Sequence, residues 1–118
     1  MIAWKRSAKP ASWYPRRGDV CLAALDKERP VVILSRNALN ARSLDVCVLP
    51  ISSVEHGEFT LRPGLKAGEG GLKRDSWVKC DQPITIEKQL IVYPPLGSLS
   101  RESLTRIETG VKEALDLS

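Results

Sequence analysis

The stretch DKERPVVILSRN, residues 26–37, indicates how the chain folds and where its chemistry lies. Residues 31–34 form a continuous apolar run headed by Pro30, which is typical of a buried strand that begins at a residue without an N–H donor. The charged pair Glu28 and Arg29 stands directly before this run. Arg29 is therefore either a surface arginine paired with an acid such as Glu28 or a cation with a function.

Apolar runs on both sides of this stretch predict a small sheet. Residues 20–25, VCLAAL, predict a strand that forms a hairpin with a strand at residues 30–35. Residues 44–51, LDVCVLPI, predict a central strand buried on both faces. Residues 35–43 suggest a loop with at most one helical turn, and the four glycines of residues 64–71 suggest a flexible loop. Further strands are predicted at residues 58–63, 75–82 and, as one or two short strands, 84–93.

The last element is an amphipathic helix at residues 100–117. Ser100 is the predicted N-cap and Glu102 lies in the first turn. Gly110 inside the helix costs about 1 kcal/mol relative to alanine. The fold class is therefore mainly β (α+β): a small antiparallel sheet or barrel with this helix on one side. The predicted apolar face of the helix contains Leu104, Ile107, Val111, Ala114 and Leu115.

Composition is that of one globular domain. The chain has 118 residues, of which 42% are apolar and 27% charged. No apolar run approaches the roughly 18 residues that a membrane span needs, and no secretory signal pattern is present at the N-terminus. We expect a cytoplasmic protein with no membrane association.

Cysteine and histidine usage predicts no metal site and no cofactor. Cys21, Cys47 and Cys80 are widely spaced in strand-like sequence, which predicts buried thiols. His56 is the only histidine, whereas zinc sites need clustered Cys or His ligands. Its ordinary pKa near neutrality leaves both a catalytic role and a plain loop position open for His56. No Gly-rich phosphate loop follows a strand, so we expect no nucleotide cofactor.

Positive charge is concentrated at the N-terminus. The formal charge is +4, yet residues after 17 contain 13 basic and 14 acidic side chains. Trp4, Trp13 and Tyr14 alternate with the basic residues, a pattern that suits single-stranded nucleic acid. A solvated or packed extension is the alternative, and the predicted division is an extension at 1–15 and a compact domain at 16–118. The basic residues of this segment are Lys5, Arg6, Lys9, Arg16 and Arg17.

Several motifs in order resemble the MazF/PemK family of toxin endoribonucleases. They are RGDV (17–20), RPVVILSRN (29–37), VLPISS (48–53), DSWVKCDQPITI (75–86) and the closing amphipathic helix. The resemblance extends from residue 17 to about residue 117. The segment KCDQPITI is most similar to the PemK branch, which has R-C-D-Q-P, a further arginine, and T-I.

This resemblance implies a fold, an activity and partners. The fold is a small SH3-like antiparallel barrel with the C-terminal helix packed on it, assembled as a homodimer, and residues 16–118 form the toxin domain. The activity is metal-independent cleavage of single-stranded mRNA by attack of the ribose 2'-hydroxyl, leaving a 2',3'-cyclic phosphate and a 5'-hydroxyl. The implied partners are single-stranded RNA and a cognate antitoxin protein, with no cofactor.

The resemblance also assigns roles to residues that match the family's motifs. Arg29 is implied to stabilise charge on the phosphate, since a guanidinium offers bidentate donors and stays charged. Ser52 is implied to donate to a phosphate oxygen and Asp81 to act as general base. Lys79 replaces an arginine of the PemK branch and is expected on the same strand face as Asp81. The candidate RNA-binding residues are Ser53, Gln82, Arg36 and Trp77: Gln82 is expected to contact either RNA or the barrel backbone, and Trp77 is a candidate platform for a stacked base.

Each assignment has a structural alternative. Ser52 and Ser53 also suit a turn after the central strand. Lys79 and Asp81 also suit an exposed ion pair of little energetic value. Trp77 also suits the core or a dimer interface.

Two departures from the family's pattern affect function. Family members carry a longer loop with Gly and Glu between the first two strands, whereas this chain has only DKE, residues 26–28, before RP. Ile84 stands where the PemK branch has its next arginine. The short loop leaves retained cleavage, wider specificity, weaker RNA binding and loss of cleavage open.

Two other functions therefore compete with the nuclease. One is a non-cleaving nucleic-acid-binding relative that relies on the basic N-terminal segment. The other is a gyrase-targeting toxin of the same fold, which acts through the end of the C-terminal helix, commonly with a tryptophan. The terminus EALDLS has no tryptophan, which disfavours the second.

Overall fold

A computed structural model describes residues 9–54 and 60–117. Within these residues the chain forms a curled, mainly antiparallel sheet, a half-barrel, with a helix packed against it, which confirms the predicted fold class. Short 3-10 turns lie at Glu69–Gly71 and Lys88–Leu90. The elements in order are β1 (Asp19–Ala24), β2 (Glu28–Ile33), α1 (Asn37–Arg42), β3 (Asp45–Ser52), β4 (Gly64–Leu65), β5 (Ser76–Val78), β6 (Ile84–Glu87), β7 (Gly97–Ser98) and α2 (Arg101–Ala114).

The sheet is organised around the predicted hairpin and the predicted central strand. Strands β1 and β2 pair antiparallel, with Val20 opposite Val32 and Ala24 opposite Glu28. Strand β3 pairs with β2 along one edge and with β5 and β6 along the other. The strand order is β4-β5-β3-β2-β1-β7, with β6 joined to β3. These pairings place the end of β3 beside both the start of β2 and the segment after β5.

Both faces of the sheet are buried. Alternate residues of β1, β2 and β3 point to two separate apolar clusters, as the period of two in a strand requires. One cluster includes Val20, Val32 and Leu49 and is covered by Ile107 of α2. The other includes Cys21 and Val31 with their neighbours on that face and is partly covered by Trp13. The continuous apolar run of β3 is thus explained, because the strand contributes side chains to both clusters.

Helix α2 begins as predicted and ends earlier. The Ser100 hydroxyl accepts a hydrogen bond from the Ser103 N–H at 3.1 Å, which caps the helix. Ile107 is fully buried, and Gly110 lies where an added Cβ would stand 2.7 Å from the Thr60 carbonyl oxygen. The prediction that Leu115 belongs to the buried face is wrong, because the helix ends at residue 114 and the Leu115 side chain is 47% exposed.

Predictions failed in the connecting segments. Residues 37–42 form a six-residue helix, longer than the loop with one helical turn that was predicted for this segment. The predicted strand at 58–63 is wrong for residues 60–63, which form a turn, while residues 55–59 lie outside the described part of the chain. The predicted strand at 75–82 is limited to 76–78, because Gln82 N–H donates to the Lys79 carbonyl and turns the chain.

The glycine-rich segment 64–71 is organised by packing. It contains β4 and a 3-10 turn, where a loose loop was predicted. Gly71 has φ of 76°, and a Cβ there would stand 2.0 Å from the Leu96 carbonyl oxygen. Glycine is required at this position because the backbone before β7 passes too close for any side chain.

The thiols are mostly buried. Cys21 and Cys80 are fully buried and Cys47 is partly exposed, so the prediction of buried thiols is confirmed for two of the three. Burial raises the pKa of Cys21 to about 12 and that of Cys80 to about 11. Among residues 9–54 and 60–117, no cluster of three or more His, Cys, Asp or Glu is placed to hold a metal ion, and His56 lies outside these residues.

The described part of the N-terminal segment packs against the sheet. Trp13 contacts the second apolar cluster and meets Tyr93 edge to face, with ring centroids 5.1 Å apart. The Lys9 ammonium donates to the Gln89 carbonyl at 2.8 Å, and partial burial lowers the pKa of Lys9. Trp4, Lys5 and Arg6 lie outside the described residues. In the part of the chain that is described, no helix has the length and apolar character that crossing a membrane would require.

Candidate nucleic-acid interface

A cleft of about 580 Å³ lies where the start of β2, the end of β3 and the segment after β5 meet. We call it the main cleft. It contains three of the positions that sequence analysis singled out for chemistry, Arg29, Ser52 and Lys79, together with Ser53. Apolar and proline side chains form much of the rest of its wall: Leu25, Pro30, Val31, Pro50, Ile51, Val54 and Ile84.

Strand pairing explains why these side chains converge. Val31 of β2 lies opposite Pro50 of β3, so Arg29 at the strand entrance lies beside the last residues of β3. Ser52, at the end of β3, lies opposite Trp77 of β5. Lys79 follows β5 directly, and its N–H donates to the Pro50 carbonyl at 2.9 Å. Residues from three separate parts of the sequence thus line one cleft.

Arg29 makes a bidentate pair with Asp26. Arg29 Nε donates to Asp26 Oδ1 and Arg29 Nη2 donates to Asp26 Oδ2, both at 2.9 Å. These hydrogen bonds lower the pKa of Asp26 well below its usual range and raise the pKa of Arg29. Arg29 lines the main cleft and Asp26 does not, so Asp26 holds one edge of the guanidinium from outside. Arg29 is thus paired with an acid, as its structural alternative expects, and it also lines the cleft, which keeps its function a prediction.

The Ser52 hydroxyl is oriented by the backbone. Its Oγ accepts a hydrogen bond from the Val54 N–H at 3.1 Å, which forms the small turn expected after β3. A hydroxyl has one donor and two acceptor sites. The bond to Val54 uses an acceptor site, so the O–H remains able to donate into the cleft.

Lys79 and Asp81 are separated by the turn after β5. Lys79 lines the main cleft, whereas Asp81 is outside its lining and pairs with Arg62. This hydrogen bond is the main cause of the lowered pKa of Asp81, and the positive charge of Lys79 contributes to it. The expectation that both residues share a strand face is wrong, because the strand ends at Val78.

Arg62 was not singled out in the sequence. Its side chain is 13% exposed, its Nη1 donates to Asp81, and its buried Nε has no partner among the described residues. A signal was present, since Arg62-Pro63 repeats the Arg-Pro dipeptide of residues 29–30. Its pairing with Asp81 depends on the turn after β5, which the sequence pattern did not predict.

The remaining candidates lie around the main cleft. Trp77 is partly buried and lines a smaller neighbouring cleft. Gln82 is exposed in the turn after β5, and Arg36 is exposed just before α1; neither lines the main cleft. Ile84, which replaces an expected arginine, is 38% exposed in the cleft wall.

The cleft suits an anionic ligand with apolar faces. Arg29, Lys79 and Lys27 provide positive charge, and Glu28 is the acidic residue in its described lining. Arginine and lysine bind phosphates, and Ser52 and Ser53 add hydroxyl donors. The apolar wall offers contact area to nucleobases. A phosphodiester of a single nucleic-acid strand fits this chemistry.

Comparison with known proteins assigns the fold to one family. The model of the "PemK-like, MazF-like toxin of type II toxin-antitoxin system" family matches residues 16–115. No curated protein sequence matches the chain. Similar solved structures include the Mycobacterium tuberculosis toxin MazF-mt6, at 29% identity and TM-score 0.76, covering 85% of this chain and 98% of that one.

Two further structures share the fold. An endoribonuclease in complex with its cognate antitoxin from Mycobacterial species is 24% identical with TM-score 0.78, covering 88% of this chain and 97% of that one. A MazE-MazF structure from Deinococcus radiodurans is 18% identical with TM-score 0.77, covering 90% and 99%. Because the family model spans nearly the whole described chain, the protein belongs to the PemK-like, MazF-like toxin family of type II toxin-antitoxin systems.

Proposed function

We propose that the protein is an endoribonuclease that cuts single-stranded mRNA. The observation that carries this proposal is the convergence of Arg29, Ser52 and Lys79 in one cleft from three separate segments. Family membership and the structural similarity to proteins named endoribonucleases support it. The residues present provide the cations and donors that RNA cleavage needs.

The proposed reaction is attack of a ribose 2'-hydroxyl on the adjacent phosphate. The P–O bond to the 2'-oxygen forms while the bond to the 5'-oxygen breaks; the 2'-hydroxyl loses its proton and the 5'-oxygen gains one, which leaves a 2',3'-cyclic phosphate and a 5'-hydroxyl. Arg29 and Lys79 stabilise the negative charge of the pentacoordinate phosphorus, and the Ser52 O–H donates to one of its oxygens. Since side chains supply this charge, the reaction as proposed needs no metal ion.

Proton transfer is the step in which Asp81 is proposed to take part. Asp81 lies outside the cleft lining and its pKa is lowered by Arg62, so it is a weak base in this arrangement. A general-base role requires the Arg62–Asp81 pair to open. With the pair closed, Asp81 affects the charge in the main cleft through its electrostatic interaction with Lys79.

The proposed partners follow from the family. Homologues have been solved as a toxin with its antitoxin, and we propose that a cognate antitoxin covers this main cleft and that the toxin is a cytoplasmic homodimer. Ser53 is a proposed RNA contact inside the cleft. Gln82 and Arg36 lie outside the cleft, so as proposed contacts they meet RNA that continues beyond it.

Cleavage of a long single-stranded RNA in EDTA tests the proposal. Arg29→Ala is compared with Arg101→Ala, a matched loss of an exposed arginine at the start of α2, away from the cleft lining. We expect discrete cuts by the wild type and by Arg101→Ala, and a loss of roughly 10²- to 10³-fold in rate for Arg29→Ala. Cutting that survives undiminished in Arg29→Ala contradicts the proposed role of the cleft.

The non-cleaving relative is a second candidate that one observation favours. Only residues 25–27 connect β1 and β2, and this connection includes the Asp26 that pairs with Arg29. Such a protein binds RNA with steep salt dependence and produces no cuts. Binding without cleavage over a broad set of RNAs favours this candidate over the nuclease.

A further inference from the structure

We propose that a second cleft, beside Trp77, is a nucleotide subsite for the RNA strand next to the scissile phosphate. This cleft has a volume of about 210 Å³ and is called the Trp77 cleft. The proposal rests on the proposed function, because it takes RNA as the ligand of the main cleft. The described lining of the Trp77 cleft includes Trp77, Ser76, Lys66, Arg106 and the acids Glu69 and Asp75.

The two clefts share the lining residue Ser76, which directly precedes Trp77. Trp77 lies directly opposite Ser52 in the β3–β5 pair and opposite Gly64 in the β4–β5 pair. Directly opposed residues of an antiparallel pair share a face of the sheet. Ser52 lines the main cleft, Gly64 lines the Trp77 cleft, and Ser76 lines both. A strand whose phosphate lies at Ser52 therefore passes Trp77 as it leaves the main cleft.

Trp77 suits a base platform. Its side chain is only partly buried, although its strand neighbours Ser76 and Val78 are buried on the opposite face. Bases of single-stranded RNA stack on such aromatic faces, and removing one platform weakens binding by roughly 5- to 150-fold per base. A partly exposed indole next to a proposed phosphate site is thus placed to hold the neighbouring base.

Two cations and two acids line the Trp77 cleft. Arg106 donates a hydrogen bond from Nη2 to the Gly64 carbonyl at 3.0 Å, and Lys66 is exposed. The two acids are held in place by neutral donors, which do not compensate a negative charge: Asp75 accepts the Ala67 N–H at 2.8 Å, and Glu69 accepts the Ser103 hydroxyl. Within the described ranges, neither Lys66 nor Arg106 forms a salt bridge with an acid.

Equilibrium binding of a non-cleavable RNA tests the subsite. A fluorescently labelled 2'-O-methyl oligonucleotide long enough to cross both clefts is titrated against wild type, Trp77→Ala, Trp77→Phe and Lys66→Ala/Arg106→Ala. We expect Trp77→Ala to lose roughly 5- to 150-fold in affinity and Trp77→Phe to retain most of it, because phenylalanine keeps a stacking face. The double variant is expected to lower the slope of log affinity against log salt by about 1.4.

Cleavage mapping provides a second readout. If wild type cuts RNA, Trp77→Ala is expected to relax the preference at one nucleotide flanking the cut while the ends keep the same chemistry. If Trp77→Ala has the same Tm, RNA affinity and nucleotide preference as the wild type, the subsite is overturned. If Trp77→Phe is folded and loses as much RNA affinity as Trp77→Ala, the stacking role is also overturned.

The outcomes separate this proposal from the nuclease proposal. Wild type that binds RNA without cutting it contradicts the nuclease, while a loss of affinity in Trp77→Ala still supports the subsite. If the wild type cuts RNA and all four proteins have equal RNA affinity and equal cleavage preference, the subsite is contradicted and the nuclease proposal is not. If the variants lose affinity for an antitoxin peptide and not for RNA, the Trp77 cleft is a protein-binding surface and the proposal fails.

Discussion

Ser52 is the residue whose hydrogen bonding most directly predicts a catalytic effect. Its Oγ already accepts the Val54 N–H, so the O–H is the group left for the phosphate. We expect Ser52→Ala to lower kcat by roughly 10²- to 10³-fold, the usual effect of removing one donor to a developing oxyanion. Ser12→Ala, a matched loss of a hydroxyl from an exposed serine outside the main cleft lining, is the control and is expected to leave kcat nearly unchanged. Equal losses in both variants contradict the distinct role of Ser52.

Asp26 is predicted to orient Arg29. We expect Asp26→Asn to lower kcat by a few fold, because the guanidinium then loses a charged partner along its Nε/Nη2 edge. The lowered pKa of Asp26 means that this pair is intact above the ordinary aspartate value of about 3.9 and is lost as pH falls through the lowered pKa. An increase in kcat for Asp26→Asn indicates instead that Asp26 competes with the phosphate.

At the scale of elements, Gly110 in α2 shows packing overriding helix propensity. Alanine there gains about 1 kcal/mol of helix propensity. Its Cβ, however, meets the Thr60 carbonyl oxygen at 2.7 Å and Cys80 Sγ at 2.8 Å. Overpacking costs about 1–3 kcal/mol, so we expect Gly110→Ala to lower the free energy of unfolding by about 1 kcal/mol in denaturant titration. Exposed Thr109→Ala serves as control, and a stability gain in Gly110→Ala contradicts the close helix contact.

The Arg62–Asp81 pair joins the segment before β4 to the turn after β5. Arg62 lowers the pKa of Asp81, so the stabilisation is present above the ordinary aspartate pKa and is lost as pH falls through the lowered value. We expect the Tm difference between wild type and Asp81→Asn to be largest near neutral pH and to vanish in strong acid. A Tm difference that stays constant from pH 7 to pH 2 contradicts this assignment.

Local sequence patterns predicted the elements that long apolar runs or caps define. The β1–β2 hairpin, β3 and the start of α2 follow from such patterns. The turn after Val78 and strand β4 do not, because they depend on contacts between distant segments. Cys80 N–H donates to the Leu61 carbonyl, and Gly71 fits against Leu96. Neither contact leaves a periodic signal in the sequence.

For the whole molecule, we predict two separable roles for the N-terminal segment. Trp13 packs on the second apolar cluster, so we expect Trp13→Ala to lower the free energy of unfolding by about 2 kcal/mol, less than a fully buried tryptophan. Deleting residues 1–8, which contain Lys5 and Arg6, is expected to weaken RNA binding at low salt while leaving Tm nearly unchanged. An unchanged Tm in Trp13→Ala contradicts the packing role.

Part of the candidate site in the main cleft could be predicted from the sequence. Arg29, Ser52 and Lys79 stand in motifs that resemble a family, and the sheet brings them together. Asp26 and Arg62 were missed because each is paired with a residue that only the three-dimensional structure brings close. Trp77 was named from the sequence, but the cleft beside it depends on the pairing of β4 with β5. The sequence therefore indicated the charged groups of the site, and the structure supplied the residues that hold them.

The chemistry of the RNA ends tests the proposed attack by the 2'-hydroxyl most directly. Wild-type protein is incubated in EDTA with an RNA that contains its mapped cut site and with the same RNA carrying a single 2'-deoxy nucleotide on the 5' side of that cut. Attack by the 2'-hydroxyl predicts a 5'-hydroxyl and a 2',3'-cyclic phosphate from the first RNA and no cut at that site in the second. Cutting of the deoxy-substituted site, or 5'-phosphate ends, would contradict attack by the 2'-hydroxyl.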